Sequence, residues 1–206
     1  MDFISNPELL LQALGPWVIP GVAFIIFIES GCLFPFLPGD SLIFTAALLH
    51  EEFGFSPWTL VIVCVIAAFL GVQVGYWLGA KFGRKLFKDD ARVLKTEYLV
   101  RAEEFFDKWG ALSLVLSRFV PIVRTFVPIA AGAARMNYKR FVIFNTIAAV
   151  LWVGLMTILG LTLGQFDFVK NNIDVIAVLI ILISVMPMVI AWLNNRRKAR
   201  KEAKEQ

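Results

Sequence analysis

Residues 41–49 form a mostly apolar run only nine residues long, closed off by Asp40 on one side and His50 on the other. A helix needs about 20 residues to cross the hydrocarbon of a bilayer, so this run cannot cross. It sits in a chain of 206 residues that is 59% hydrophobic and 17% charged, too apolar for a soluble domain that must hide its core. Lipid offers no partner to free backbone groups, so the chain reads as an all-α, polytopic membrane protein. The short run then belongs with the apolar run at 17–34. Joined across Pro35, Pro38 and Gly39, the two predict a helix-break-helix hairpin that enters the membrane and returns to the same side.

A second version of this pattern follows. Residues 112–120, a break from Pro121 to Pro128 and residues 129–134 predict another re-entrant hairpin, ahead of a span at 141–163. Further spans are expected at 58–82 and 173–193, making about three full spans, with a short interfacial segment at Pro7–Leu14. With an offset of 81, Ile66-Ala67-Ala68 falls on Ile147-Ala148-Ala149, Gly79 on Gly160 and Gly83 on Gly164; an offset of 83 places Pro38 on Pro121. These matches suggest repeats at about 17–83 and 110–164 within one membrane domain, 1–195, followed by a basic tail, 196–206. A hairpin plus one span reverses sides, so the second copy is expected to be inverted relative to the first.

Charge tests that topology, because cytoplasmic flanks carry excess Lys and Arg. Of 20 basic residues, eight lie between 81 and 108, three between 135 and 140 and six between 196 and 204. All of these fall on one side if both hairpins are re-entrant, which puts the N-terminus outside and the C-terminus in the cytoplasm. Residues 1–12 carry Asp2 and Glu8 but no Lys or Arg, so a removable signal peptide is not expected. In the cytoplasmic connector, Asp89 and Asp90 suit a helix start. Leu94, Tyr98, Ala102, Phe105 and Trp109 recur at helical spacing, predicting an amphipathic helix on the membrane surface or on the protein's own cytoplasmic face. The tail reads as a topology signal near anionic headgroups.

The two breaks hold the chemistry. Glu29 and Asp40 flank the first, and Arg118 and Arg124 the second. An ionisable side chain in hydrocarbon costs roughly 2.5–3.5 kcal/mol on insertion scales, so such groups persist where they bind or move something. In an unbroken helix six residues turn through about 240°, pointing the arginines apart. A break at Pro121 lets them converge. Guanidinium forks suit phosphate oxygens, giving Arg118 and Arg124 a substrate-binding role, while Glu29 and Asp40 are the groups able to exchange protons. The bland alternative is that acids and bases neutralise each other as structural ion pairs.

Other residues weigh less. Asn145 either bonds across helices or lines the cavity with Trp152, and Gly71, Gly75, Gly79 and Gly83 make a small-residue stripe for helix packing. Cys32 and Cys64 read as buried packing residues, and His50 as a solvated loop residue.

The motifs Glu29-Ser30-Gly31, Phe36-Leu37-Pro38-Gly39-Asp40-Ser41, 118–125, Pro128 with Ala131-Gly132, and the region from Asn145 through Trp152 to Gly164 together resemble the DedA family of bacterial inner-membrane proteins, related to eukaryotic proteins with the VTT domain. The resemblance implies opposed re-entrant hairpins in the bacterial inner membrane and movement of lipids between leaflets. It points to undecaprenyl phosphate, the carrier of cell-wall precursors, or to phospholipid, with dependence on the proton gradient in some members. It assigns essential roles to Glu29, Asp40, Arg118 and Arg124. Val72 departs from the pattern, since many relatives have an acidic residue there.

The leading expectation is a flippase that returns undecaprenyl phosphate or a related lipid to the inner leaflet. A non-selective phospholipid scramblase and a proton-coupled ion transporter are the alternatives. An enzyme is not expected, because a two-histidine phosphatase mechanism cannot be built from His50 alone and no metal ligand set is present. No cofactor, metal or nucleic-acid partner is anticipated. Sequence leaves open whether the hairpins meet within one protomer or across a homodimer.

Overall fold

The computed structural model describes residues 7–31, 39–86, 96–119 and 121–166, and every regular element among them is helical. Pro35, Pro38, Cys32, Asp89, Asp90, Leu94, the expected span at 173–193 and the tail at 196–206 lie outside the described residues. Helices α1 (Pro7–Leu14) and α2 (Val18–Gly31) are joined by a 3-10 turn, Gly15–Trp17. Next come α3 (Gly39–Leu48), α4 (Pro57–Phe82), α5 (Thr96–Trp109), the one-turn α6 (Ser113–Leu116), α7 (Pro121–Ala133) and α8 (Tyr138–Leu163). Further 3-10 turns, Gly110–Leu112 and Ser117–Phe119, flank α6.

Three stretches are long and apolar enough to cross a membrane: Leu9–Gly31, α4 and α8. The protein is therefore a helical membrane protein. Within the first stretch Pro7–Leu14 is a helix of its own, as the sequence reading separated it from the run that follows. Gly15, at φ +50°, turns the chain between the two helices, and Pro16 stands in the opening positions of the next turn, where its missing N–H would have no partner in any case. Leu11 is fully buried in the same core as Val18, Val22 and Ile26, which ties α1 to the domain.

The long helices have clear punctuation. Helix α4 starts on Pro57 after Ser56 and stops at Gly83, which adopts φ +52°. Helix α8 is capped by Asn137, whose side chain accepts from the Lys139 and Arg140 N–H groups at 3.1 and 3.4 Å. Their outward faces carry Trp58, Ile62, Ile66, Trp77, Ile147 and Ile158, an apolar surface suited to lipid.

Contacts between named positions fix the helix directions. Asn145 donates to the Phe69 carbonyl and Tyr76 stacks on Phe141, so α4 and α8 run antiparallel. Glycines set the remaining pairs. Gly160 lies against Phe44 and Ala47, and Gly164 against Leu48, making α3 parallel to α8. Gly75 meets Pro128, Gly79 meets Ile129, and Gly132 meets Tyr76 and Ala80, making α7 parallel to α4. The two short helices therefore point in opposite directions.

Each long helix receives the short helix from the other half of the chain, through glycines 81 positions apart. At Gly79 an added Cβ would strike the Ile129 backbone, and at Gly160 the Phe44 backbone. The triplets at the same offset share their exposure pattern. Ile66 and Ile147 face outward while Ala68 and Ala149 are fully buried.

One expectation is corrected. Pro128 does not form a break: it lies inside α7, which runs on through it from Pro121 to Ala133. The amphipathic helix α5 buries Leu99 and Ala102 against the core that includes α7, with Phe105 and Phe106 partly buried, while Trp109 is 43% exposed. Of the two placements expected for it, this is the packing on the protein's own helices.

Candidate functional site

Helix α2 ends where Gly31 abuts the Gly71 backbone, close to the middle of α4. Near that level α3 begins with Gly39 and Asp40, and the second half of the chain arrives with Arg118 in a 3-10 turn and Arg124 in the opening of α7. Half-length helices thus deliver all four charged residues singled out in the sequence to one buried place.

Arg124 joins three elements. Its Nη1 donates to both oxygens of Asp40, at 3.0 and 3.1 Å, and its Nη2 donates to Oε1 of Glu29. Glu29 is 4% exposed, while the Asp40 and Arg124 side chains are 14% and 13% exposed. One planar guanidinium therefore ties the end of α2 to the start of α3. This geometry explains the glycine at 39, since a Cβ there would collide with the Glu29 carboxylate.

Arg118 is held differently. Its guanidinium lies over the Trp152 ring, 5.3 Å from the centroid, a cation–π arrangement. The residue is 8% exposed, and Nη2 is buried without a hydrogen-bond partner among the described residues. The four formal charges cancel, but the hydrogen-bonding capacity of Arg118 is left over. Glu29, Ser30, Val72, Arg118, Arg124, Thr125 and Trp152 line a cavity of about 10 Å³, room for about one water.

Trp152 thus stands at the cavity and Asn145 does not, since its amide bonds across helices to Phe69 at 3.2 Å. Ser30 and Thr125 line the site and were not selected from sequence. Their positions beside Glu29 and Arg124 were the available signal. Gly39 and Pro121 both open helices at the edges of the site.

Residues 34–162 match the VTT domain. Protein DedA of Escherichia coli (strain K12) is 38% identical over 99% of this chain and 97% of its own length. An uncharacterized membrane protein of Mycobacterium tuberculosis (strain ATCC 25618 / H37Rv) is 40% identical over 97% of this chain and 91% of its own. The inner membrane protein YghB of Escherichia coli (strain K12) is 32% identical over 82% and 80%. No solved structure matches the chain.

Proposed function

This chain belongs to the DedA family of VTT-domain membrane proteins, and we propose that it carries a phosphorylated lipid between leaflets, returning undecaprenyl phosphate or a related lipid phosphate from the outer to the inner leaflet of the bacterial inner membrane. In this reading the short helices are the returning arms of two inverted re-entrant hairpins. The N-terminus is outside and the C-terminus cytoplasmic. One observation carries the reading: α3 and α7 both start at a buried cluster of two acids and two arginines, beside the middle of α4, and run away from it in opposite directions.

The physics of that arrangement favours an anion. Helix N-termini hold partial positive charge, and broken helices in transporters direct it at anionic substrate groups. Arginine adds a donor fork that matches phosphate oxygens and keeps its charge. A bare phosphate cannot enter hydrocarbon at tolerable cost, so a polar path for the headgroup with the tail left in lipid lowers the barrier. Glu29 and Asp40 release their hold on Arg124 when they take up protons, which links headgroup passage to the proton gradient.

The test is leaflet exchange in liposomes containing labelled undecaprenyl phosphate or labelled phospholipid, with and without a proton gradient, comparing wild type with Arg118→Gln. Fast exchange of the polyprenyl phosphate, accelerated by the gradient and lost in the variant, is expected. Equal exchange of both lipids would replace the carrier with a scramblase. No exchange by folded protein under any gradient would end the lipid-transport reading.

A further inference from the structure

The two arginines share a residue type and a place, but their surroundings differ in kind. Arg124 has both terminal nitrogens engaged by carboxylates. Arg118 makes no ion pair or hydrogen bond among the described residues, its Nη2 is buried, and the residue lines a cavity together with Ser30 and Thr125. A buried guanidinium with unused donors is costly, and it is kept where a ligand supplies what the protein does not. The Trp152 face holds the cation in place without occupying its in-plane N–H groups, so the fork stays available. Arg124 has the opposite character, because an anion could take its donors only by displacing Glu29 or Asp40.

Resting on the lipid-phosphate reading above, we infer that the arginines divide the work: Arg118, seated on Trp152, receives the phosphoryl oxygens, and Arg124 is a positioning clamp that holds α2 to α3. Ser30 and Thr125 are placed to add hydroxyl donors to the same anion. At about 10 Å³ the cavity is too small for a phosphate, so the headgroup enters when the clamp loosens and the walls part. The ligand class is a phosphoryl anion. A free phosphate and a lipid headgroup share that chemistry.

The inference separates two variants that a site with equivalent arginines would treat alike. Arg118→Gln removes a group with no hydrogen-bonded partner among the described residues, so the fold should survive while anion affinity falls at least tenfold. The triple variant Glu29→Gln, Asp40→Asn, Arg124→Gln dissolves the clamp without leaving an unpaired charge behind. It removes two carboxylates that repel an anion, so it should bind at least as tightly as wild type although one arginine is gone.

Each protein, in lipid nanodiscs, is titrated with inorganic phosphate, a short-chain prenyl phosphate and phosphatidylglycerol, following the ligand-induced rise in unfolding temperature and direct binding. Should the triple variant not fold, Arg118→Lys and Arg124→Lys take its place, with loss expected only for the first. Unchanged binding by folded Arg118→Gln, loss of saturable binding by the folded triple variant, or equal loss in the two lysine variants would overturn the division of roles. Wild type that binds none of the three probes would instead overturn the phosphate reading from which it starts. Equal affinity for inorganic phosphate and prenyl phosphate supports Arg118 as the receptor and assigns the site to the free anion.

Discussion

Adding one methyl group at Gly160 tests the packing that brings the charged residues together. The new Cβ would stand 2.5 Å from the Phe44 carbonyl oxygen, 2.8 Å from Ala47 Cβ and 3.3 Å from the Leu48 nitrogen. Two of these are backbone atoms, so no rotamer change removes the clash. Ordinary contact begins near 3.4 Å, so α3 must move outward by about 0.9 Å, and overpacking of this kind costs about 1–3 kcal/mol. The matched control is Gly154→Ala in the same helix, where nothing lies within 4 Å of the added carbon. Alanine gains up to about 1 kcal/mol of helix propensity at both sites. That contribution cancels between the variants, leaving a difference of about 1–3 kcal/mol due to contact alone. Reversible unfolding in mixed detergent micelles, followed by circular dichroism, measures it. Transport should fall in parallel only for Gly160→Ala, because Asp40 rides on the displaced helix and its contact with Arg124 lengthens. Equal stability of the two variants, within about 0.5 kcal/mol, would refute the argument that α3 is held against the α8 backbone.

Asn145→Ala removes the amide that bonds to the Phe69 carbonyl, and the expected loss is about 0.6 kcal/mol and no more than ~1.7; a far larger loss in the same unfolding assay would mean that Asn145 serves the site directly. For topology, His50→Cys and Lys139→Cys, each in a background with Cys32 and Cys64 replaced by serine, should react with a membrane-impermeant maleimide from opposite faces of oriented vesicles. These positions lie at opposite ends of antiparallel helices, so labelling from one face would defeat the proposed inverted arrangement.

Much of the long-range order was legible because bilayer thickness acts on sequence so directly. Runs expected at 58–82 and 141–163 appear as Pro57–Phe82 and Tyr138–Leu163. Of the glycines matched at an offset of 81, Gly79 and Gly160 mark close helix contacts, since a small residue is what lets backbones touch, while Gly83 meets nothing within 4 Å. Proline was the less faithful guide. Pro128 was expected to close a break and instead lies inside α7. The covered side of α5 was legible in part. Spacing picked out a stripe through Ala102 and Phe105, while the side actually covered also takes in Leu99 and Phe106. The different circumstances of Arg118 and Arg124 could not be read from the motif that contains both. They arise from Trp152 and from two carboxylates in the other half of the chain.

The exchange of short helices between halves of the chain also sets a problem for biosynthesis. Residues 41–48 are all buried in the finished protein, yet Gly160, against which Phe44 lies, emerges from the ribosome roughly 116 residues later. At ~5–20 residues per second that is an interval of roughly 6–23 s. Throughout most of it Glu29 and Asp40 have been made and Arg124 has not. The early half must therefore wait, with two unneutralised acids and an uncovered helix, in the insertion machinery or at the membrane boundary. A slow step late in translation, or a truncation before α8, would strand that intermediate and expose it to membrane quality control, even when every residue of the first half is intact.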